Sequence, residues 1–379
     1  MSGSKWIFLD NNSTTCCDPR VVGAMLPYLS ESYANPSSAH LFGSSIDEAV
    51  DEARDEIAGF IGSKPHEIIF TSGATESLNM AIKGFLDQPK REIVTIASEH
   101  KAVLDVCGFM ETKGFSVKYI AVGKDGSIDC DELSQAITSE TLLVAAMFAN
   151  NETGVIHPVD KIAKIAHQKG ALLLCDATQA VGKLSVDVKK LGIDIMAFSA
   201  HKFYGPKGIG ALYISSDCQP KPQSLIHGGG QQRNRRSGTL NVPGIIAFAK
   251  ACTIAASQIE EDELRIRALR DRLENGLLSI EGSFVNGFGQ SRLYNTTNIC
   301  FPGTDSEKLI ITLPQIALSN GAACSVVSTE PSHVLKAMGL SDGDAMASIR
   351  CSLGRFTTAE DIESAIATLT RLIPALRNQ

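Results

Sequence analysis

The chain has 379 residues, 44% of them hydrophobic, and a formal net charge of −7. Its length can bury a large α/β core and a smaller second one. Its mild acidity argues against nucleic acid as a direct partner, because phosphate backbones attract clustered positive charge. The one basic cluster, at residues 233–236, is short and follows a glycine-rich stretch. It favours a solvated or subunit-contacting loop.

The sequence carries no membrane or export signal. Residues 1–6 lack the apolar segment of a signal peptide. The longest apolar stretch, around residues 142–149, is far shorter than the ~20 residues that span a bilayer. The 10 cysteines are scattered without C-x-x-C spacing, which is typical of reduced thiols rather than a disulfide framework. We therefore expect a cytoplasmic protein with no membrane contact.

From about residue 65, short apolar runs alternate with amphipathic stretches. The predicted strands are 67–70, 93–97, 142–148, 171–175, 195–198 and 210–214, with helical patterns such as 75–85 and 159–167 between them. This alternation predicts an α/β fold with a mostly parallel sheet and helices on both faces. Ligands of such sheets bind at the carboxyl ends of the strands.

After about residue 255 the pattern changes. Residues 259–278 are predicted to form a long charged helix, and shorter strands and helices follow. The last helix is signalled by Thr357 and Glu360 at capping-box spacing, ahead of apolar residues at helical intervals. We therefore predict a large domain over residues 15–255 and a smaller α+β domain over 256–379 together with 1–14.

A glycine turn at residues 70–77 lies between a predicted strand and a predicted helix. Free N–H groups at a helix N-terminus form an anion site, and Thr75 is well placed to add a donor. The helix dipole alone contributes only ~0.3–1 kcal/mol. A phosphate site and an ordinary capped turn are therefore equally good interpretations of this segment alone.

Asp176 ends an apolar predicted strand, where a carboxylate is unfavourable unless a cation meets it. A pyridinium nitrogen is such a cation, and its electrostatic attraction to the carboxylate could contribute on the order of 4 kcal/mol. An N-cap for a following helix is a slightly better interpretation of Asp176 taken alone.

Lys202 directly follows another apolar strand and precedes glycines. Burial there should lower its pKa, which favours Schiff-base chemistry, although a lone lysine more often reaches solvent. Ser199 and His201 lie beside it and can donate to a phosphate. A Schiff-base lysine combined with an aspartate for the ring nitrogen is the pattern of pyridoxal-phosphate enzymes, so Asp176 and Lys202 together favour that cofactor.

Further motifs follow in order along nearly the whole chain. They are LDNN at 9–12, NPSSAH at 35–40, SEH at 98–100, NNETG at 150–154, SAHK at 199–202, RSGT at 236–239, GAAC at 321–324 and LGRF at 353–356. In this combination the sequence resembles the cysteine desulfurases, in the class V aminotransferase branch of the fold-type I pyridoxal-phosphate enzymes. The resemblance implies a seven-stranded type of sheet and the cofactor pyridoxal 5'-phosphate.

The resemblance implies catalytic roles for Lys202, His100 and Cys324. Lys202 would form the Schiff base with the cofactor, and His100 would stack over the ring and handle protons near the substrate thiol. Cys324 would receive the sulfur of L-cysteine. Asn35 and Arg350 would hold the substrate carboxylate, for which arginine offers a bidentate fork.

The resemblance also implies a cofactor-binding set. Its members are Ala74, Thr75, Asn151, Asp176, Gln179, Ser199, Ala200, His201 and Thr239. Within it, Asp176 would pair with the pyridine nitrogen and Gln179 would bond the phenolic oxygen. Thr239 would reach the phosphate from the partner subunit, which implies an obligate homodimer.

Cys324 lies in a stretch of small residues, 319–331, with no helix or strand pattern. Such a loop suits a nucleophile that must travel, and it resembles the long-loop desulfurases of iron–sulfur assembly. The persulfide would pass to an acceptor or scaffold protein. No metal site is expected, apart from transient ligation of an iron–sulfur cluster by Cys324.

Two alternatives remain open. An aminotransferase or a selenocysteine lyase of the same fold would keep the cofactor residues without depending on Cys324. A non-catalytic scaffold would have kept the fold alone. The destination of the sulfur is also open: iron–sulfur scaffolds, nitrogenase assembly, tRNA thiolation and DNA phosphorothioation are all compatible with the loop.

Overall fold

The computed structural model describes residues 6–321 and 330–377. Its strands are β1 (Ile7–Phe8), β2 (Ile68–Thr71), β3 (Glu92–Ile96), β4 (Ser116–Ile120), β5 (Thr141–Met147), β6 (Leu172–Asp176), β7 (Ile195–Ser199), β8 (Gly210–Ile214), β9 (Phe284–Val285), β10 (Thr296–Cys300), β11 (Ile316–Ala317) and β12 (Ser348–Ser352). Its helices are α1 (Pro19–Met25), α2 (Pro27–Ser30), α3 (Leu41–Phe60), α4 (Ala74–Lys83), α5 (Lys101–Glu111), α6 (Cys130–Ala136), α7 (Val159–Gln168), α8 (Gln231–Asn234), α9 (Val242–Leu277), α10 (Ser306–Thr312), α11 (His333–Ala337), α12 (Asp342–Met346) and α13 (Ala359–Arg377).

A seven-stranded sheet in the order β2-β8-β7-β6-β5-β3-β4 forms the centre of the protein. The pairs from β7 to β4 are parallel, and β8 is antiparallel to both of its neighbours. Strands β3, β5, β7 and β8 are buried along their whole length, as expected where helices cover both faces. The predicted α/β fold with a mostly parallel sheet is confirmed.

The predicted strands agree with the observed ones to within one or two residues. Strand β4 was missed, since it lies at the edge of the sheet and is mostly accessible to solvent, and therefore lacks a continuous apolar run. In the central sheet, all strands except β8 run in the same direction, so their carboxyl ends lie on the same side of the sheet, here called its carboxyl edge. That edge is where the predicted site residues converge.

The capping box of α13 is formed by Thr358 and Asp361. The Thr358 N–H donates to the Asp361 carboxylate at 3.0 Å, and the Asp361 N–H donates to the Thr358 hydroxyl at 3.2 Å. The predicted pair of Thr357 and Glu360 was wrong by one residue. The hydroxyl of Thr357 instead accepts from the N–H of Gly354 at 2.9 Å.

Helix α9 is a single helix of 36 residues, of which the predicted helix 259–278 is only the C-terminal half. An 18-residue window of α9 is apolar enough to cross a membrane by composition, but 56% of that window is buried inside the protein. Helices α3, α1 and α13 pack against α9. Helix α9 is therefore a core helix of a globular protein.

Three clusters of buried apolar side chains surround these elements. One lies on the sheet face covered by α3, α7 and the first half of α9, and the second lies on the face covered by α4 and α5. The third joins the second half of α9 to α13 and to the small antiparallel sheet β12-β10-β9. Ala255 belongs to the first cluster and Ile266 to the third. The predicted boundary at 255/256 therefore falls inside a continuous helix.

Candidate active site

A cavity of about 510 Å³ opens at the carboxyl edge of the central sheet. The predicted site residues on its wall are Ala74, Thr75, His100, Asn151, Asp176, Gln179, Ser199, His201, Lys202 and Arg350. These residues follow β2, β3, β5, β6 and β7, except Arg350, which lies on β12. Residues separated by up to 276 positions in the chain are thus brought to one place, as the strand-end rule predicts.

Three predicted residues do not line the cavity. Ala200 is fully buried behind the wall, whereas Asn35 and Thr239 are exposed on the surface of the chain. Cys324 lies outside the described residues, although Gly321, close before it in sequence, does line the cavity.

The turn before α4 forms a cradle for an anion. Gly73 has φ 154°, which glycine adopts far more readily than other residues. A Cβ on Gly210 would lie 2.7 Å from the Cα of Gly73, so the two backbones touch. The hydroxyl oxygen of Ser199 would lie 3.4 Å from a Cβ on Gly73. Free N–H groups of α4 and the hydroxyls of Thr75 and Ser199 therefore converge on one spot.

His201 contributes to the same wall as a neutral imidazole. Burial, followed by the positive charges of Lys202, Lys207 and Lys183, lowers its pKa to about 4. Its Nδ1 lies 3.1 Å from the hydroxyl of Thr14. A neutral imidazole retains one N–H, so His201 can donate one hydrogen bond to a ligand.

Lys202 lies in a single 3₁₀ turn directly after β7. Its Nζ donates to the backbone carbonyl oxygens of Asn12 and Ser13, both at 2.7 Å. These two carbonyl groups hold the amine at the cavity wall, where a ligand carbonyl group can reach it. The N-terminal stretch that supplies them was not predicted to contact Lys202.

Asp176 ends β6 and is 7% exposed. Its Oδ1 accepts from the N–H of Thr178 at 2.9 Å and also from the Thr178 hydroxyl. A turn, and not a helix, follows it, so the alternative interpretation as a helix N-cap is wrong. Its carboxylate is available to a cationic ligand group in the cavity.

Glu99 lies behind this wall and was not predicted. It is fully buried, and its Oε1 accepts from the N–H of Met147 at 2.5 Å. Burial and the negative charge of Asp176 raise its pKa well above the usual range of a carboxyl group. The protonated form of Glu99 is therefore favoured.

His100 is the N-cap of α5. Its Nδ1 accepts from the N–H of Ala102 at 3.1 Å. In the neutral ring the proton is therefore assigned to Nε2. His100 also lines the cavity.

Gln179 is held by Lys183, another residue that the sequence did not predict. The Nζ of Lys183 donates to Oε1 of Gln179 at 2.8 Å and to its backbone oxygen at 3.2 Å. The Nε2 of Gln179 donates to the carbonyl oxygen of Asn12 at 2.9 Å. Burial, followed by the charges of Lys202 and Arg350, lowers the pKa of Lys183 to about 7.

Arg350 is 3% exposed and is held from two sides. Its Nη1 donates to the carbonyl oxygen of Asn151 at 2.9 Å, and its Nη2 donates to Asp10 and Ser13, both at 2.7 Å. Within the described residues, neither Nε of Arg350 nor Oδ1 of Asn151 has a hydrogen-bond partner. Buried polar atoms are normally paired, so these two atoms are exceptions within the described wall.

The family model for class-V aminotransferases matches residues 7–364. The chain belongs to the class-V aminotransferase family. Enzymes of this family depend on pyridoxal phosphate. The wall of the cavity fits that cofactor, because the cradle before α4 suits a phosphate, Lys202 suits a carbonyl group and Asp176 suits a protonated ring nitrogen. The unpaired Oδ1 of Asn151 offers a further acceptor.

Relatives of known structure or function agree with the chain along nearly its whole length. The cysteine desulfurase IscS of Edwardsiella ictaluri is 45% identical over 98% of this chain and 93% of that relative. A solved structure described as a NifS-like protein superposes with a TM-score of 0.91 at 37% identity, covering 98% of this chain and 100% of that one. The structure of SspA in complex with cysteine gives a TM-score of 0.81 at 34% identity, over 94% and 100% of the two chains.

Proposed function

We propose that this protein is a pyridoxal-phosphate-dependent cysteine desulfurase, which converts L-cysteine to L-alanine and leaves the sulfur as a persulfide on Cys324. The observation that carries the proposal is the wall of the cavity. It combines an amine at the end of β7, a carboxylate at the end of β6 and an arginine with an unpaired Nε. The relatives named as cysteine desulfurases support the same substrate.

Each residue of the wall has a task that follows from its position. Pyridoxal phosphate, when bound, supplies an electron sink for chemistry at the Cα of an amino acid. Lys202 is the amine that attaches the cofactor, and Asp176 holds its ring nitrogen in the protonated form. The guanidinium of Arg350, which lines the cavity, binds the substrate carboxylate. The Nε2–H of His100 exchanges a proton with the substrate thiol.

Sulfur transfer needs one nucleophile beyond this wall, and the proposal assigns it to Cys324. The thiolate of Cys324 forms an S–S bond to the sulfur of the substrate, while the Cβ–S bond of the substrate breaks. The electron pair of that bond and a proton remain with the carbon skeleton, which becomes alanine. The atoms balance without an external oxidant, and an acceptor protein with a free thiol takes the sulfur next.

The proposal includes a homodimer in which the partner subunit completes the site. Large apolar side chains are exposed between the end of α1 and the start of α3, where solvent contact is unfavourable. They are Leu26, Leu29, Tyr33, Leu41 and Phe42. Asn35 lies within this apolar surface. A second copy seated there would cover it and bring an exposed residue such as Thr239 toward the other subunit's cavity.

The proposed domain division follows the apolar clusters. The large domain, 15–255, contains the two clusters that flank the central sheet, and residues 256–379 with 1–14 contain the third. We place the enzyme in the cytoplasm. The absence of disulfides among the described cysteines is compatible with a reducing compartment.

The deciding experiment is the release of alanine from L-cysteine under reductant, at full cofactor occupancy. The wild type should form alanine, and Cys324→Ser should not. Cys130→Ser, at a partly buried position on α6, serves as the matched control and should keep full activity.

Three results would contradict the proposal in different ways. Equal alanine from the wild type and Cys324→Ser would make the protein a different lyase. Transamination without sulfur release would make it an aminotransferase. Cofactor binding with no turnover of L-cysteine would favour the scaffold alternative.

A further inference from the structure

Lys183 is a buried cation with no carboxylate beside it. It is 6% exposed, and the described residues offer it no ion pair: its hydrogen bonds there go to Oε1 and the backbone oxygen of Gln179. A buried ammonium is unfavourable without an anionic partner. A lysine kept at such a position therefore calls for a functional explanation.

The hydrogen bond from Lys183 determines which end of the Gln179 amide faces the cavity. The protonated ammonium of Lys183 has only donors, so the atom that meets its Nζ in that form must be the amide oxygen. The amide nitrogen is thereby turned the other way. One of its hydrogens goes to the carbonyl oxygen of Asn12 at 2.9 Å. The second remains for an acceptor in the cavity, which Gln179 lines.

The same carbonyl oxygen connects this network to the reactive amine. The oxygen of Asn12 accepts from Nε2 of Gln179 at 2.9 Å and from Nζ of Lys202 at 2.7 Å. Rotation of the Gln179 amide by half a turn would place its oxygen against that carbonyl oxygen, and the two acceptors would repel each other. The orientation of Gln179 and the position of Lys202 are therefore coupled.

We propose that Lys183 is a positioning residue that fixes the amide of Gln179 with its nitrogen toward the cavity, so that the phenolic oxygen of pyridoxal phosphate meets a donor. The inference rests on the proposed function, because it concerns the same cavity. Lys183 touches neither substrate nor cofactor in this proposal. It acts through Gln179.

The test compares three variants of the full-length enzyme. Lys183→Met keeps the length of the side chain and removes the donor. Lys183→Gln removes the charge but keeps an N–H for Oε1 of Gln179. Lys189→Met is the matched control, because Lys189 is exposed on a nearby turn. Each apoprotein is titrated with pyridoxal phosphate, and the visible absorbance of the loaded protein is recorded against pH in the absence of substrate.

Lys183→Met should bind pyridoxal phosphate roughly tenfold more weakly, since a hydrogen bond to a charged oxygen is lost. The pH midpoint of its visible absorbance change should rise by roughly one unit, because the phenolic oxygen loses a donor that stabilises its anionic form. In Lys183→Gln, the affinity for pyridoxal phosphate and the pH midpoint should both lie close to the wild-type values. Lys189→Met should match the wild type.

A double-mutant cycle with Gln179→Leu excludes a direct effect of charge. If Lys183 acts through Gln179, Lys183→Met should add no further shift of the midpoint in the Gln179→Leu background. An equal shift in both backgrounds would overturn the inference, and so would a Lys183→Gln variant that behaves like Lys183→Met. Should Lys183→Met fail to fold, the smaller Lys183→Ala, which also removes the donor, takes its place in both backgrounds.

The failure of this inference is distinguishable from the failure of the proposed function. A wild-type protein that gains no visible absorbance with pyridoxal phosphate would remove the cofactor assignment itself. A wild-type protein that binds it normally, with variants that do the same, would remove only the role of Lys183.

Discussion

The protein buries charge in two regions that differ in how the charges are paired. In the arginine cluster, formed by Asp18, Arg20, Asp262 and Arg355, each carboxylate meets a guanidinium. Arg355 contacts Asp262 at 2.8 Å and Asp18 at 3.2 Å, and Arg20 contacts Asp18 at 2.7 Å. In the cavity wall, by contrast, Arg350 pairs with Asp10 at 2.7 Å through its Nη2, while its Nε has no partner within the described residues.

This difference separates structural charges from functional ones. A buried ion pair that satisfies itself leaves nothing for a ligand, and removing one partner leaves the other uncompensated. An unpaired buried donor is rare in a folded protein, and it is expected where a bound ligand supplies the missing acceptor. The arginine cluster should therefore contribute to folding, and the cavity wall should contribute to binding.

The largest effect is expected for Lys202→Ala. The variant should lose the visible absorbance of covalently attached pyridoxal phosphate completely, because Lys202 is the amine that two carbonyl oxygens hold at the wall among the residues that the structure describes. Absorbance spectra of protein reconstituted with the cofactor measure this. An unchanged spectrum would remove the central assignment. Lys190→Ala, at an exposed position, is the control.

Asp18→Asn should lower the free energy of unfolding by roughly 1.5–3 kcal/mol at neutral pH, since Arg20 loses its carboxylate while Arg355 keeps only Asp262. Urea denaturation measures this, and the KM for L-cysteine should stay the same. A changed KM with normal stability would contradict the view that the arginine cluster serves folding and the cavity wall serves binding.

The same variant has a signature at acid pH. The hydrogen bond from Arg20 is the largest contribution that lowers the pKa of Asp18, to about 2. A depressed carboxyl pKa stabilises the fold above the unfolded value of about 4 and loses that effect as the pH falls toward 2. The difference in stability between wild type and Asp18→Asn should therefore shrink below pH 4.

Arg350→Lys should lower kcat/KM for L-cysteine about 100-fold, mainly through KM, because lysine cannot reproduce the planar fork. Steady-state kinetics with L-cysteine measure the change. Cofactor affinity should remain close to that of the wild type. An equal loss of cofactor affinity would mean that Arg350 supports the wall instead of binding the substrate.

Lys183 should change the pH dependence of stability in a different pH window. Its pKa is lowered to about 7 in the folded protein, so the unfolded chain binds more protons between pH 7 and about 10.4. The stability of the apoprotein should rise with pH in that interval by up to ~1.4 kcal/mol per unit. Denaturation at pH 7 and pH 9 should show this rise in the wild type and not in Lys183→Met.

The fold was largely predictable from the sequence, because the central strands are continuous apolar runs. Asp176 and Lys202 were found for the same reason, since each follows such a run directly. The exposed edge strand β4 was missed because it has no such run. The local sequence pattern is therefore sufficient to predict a strand where the strand is completely buried.

The supporting residues of the site could not be predicted, because they depend on contacts between distant segments. The carbonyl oxygens of Asn12 and Ser13 meet Lys202 from about 190 positions away. Lys183 gave one weak signal, as a lysine among apolar residues, without indicating Gln179 as its partner. The roles of Asn35 and Thr239 require a second subunit and stay predictions.

Helix α9 has a consequence for how the protein comes apart. At 36 residues it is roughly 54 Å long, and its two halves belong to different apolar clusters. No loop separates these clusters at residue 255, so a protease or a truncation there would cut helical backbone and expose both cores at once. The two domains should therefore melt in one cooperative transition, and neither should be obtainable alone by division at that point.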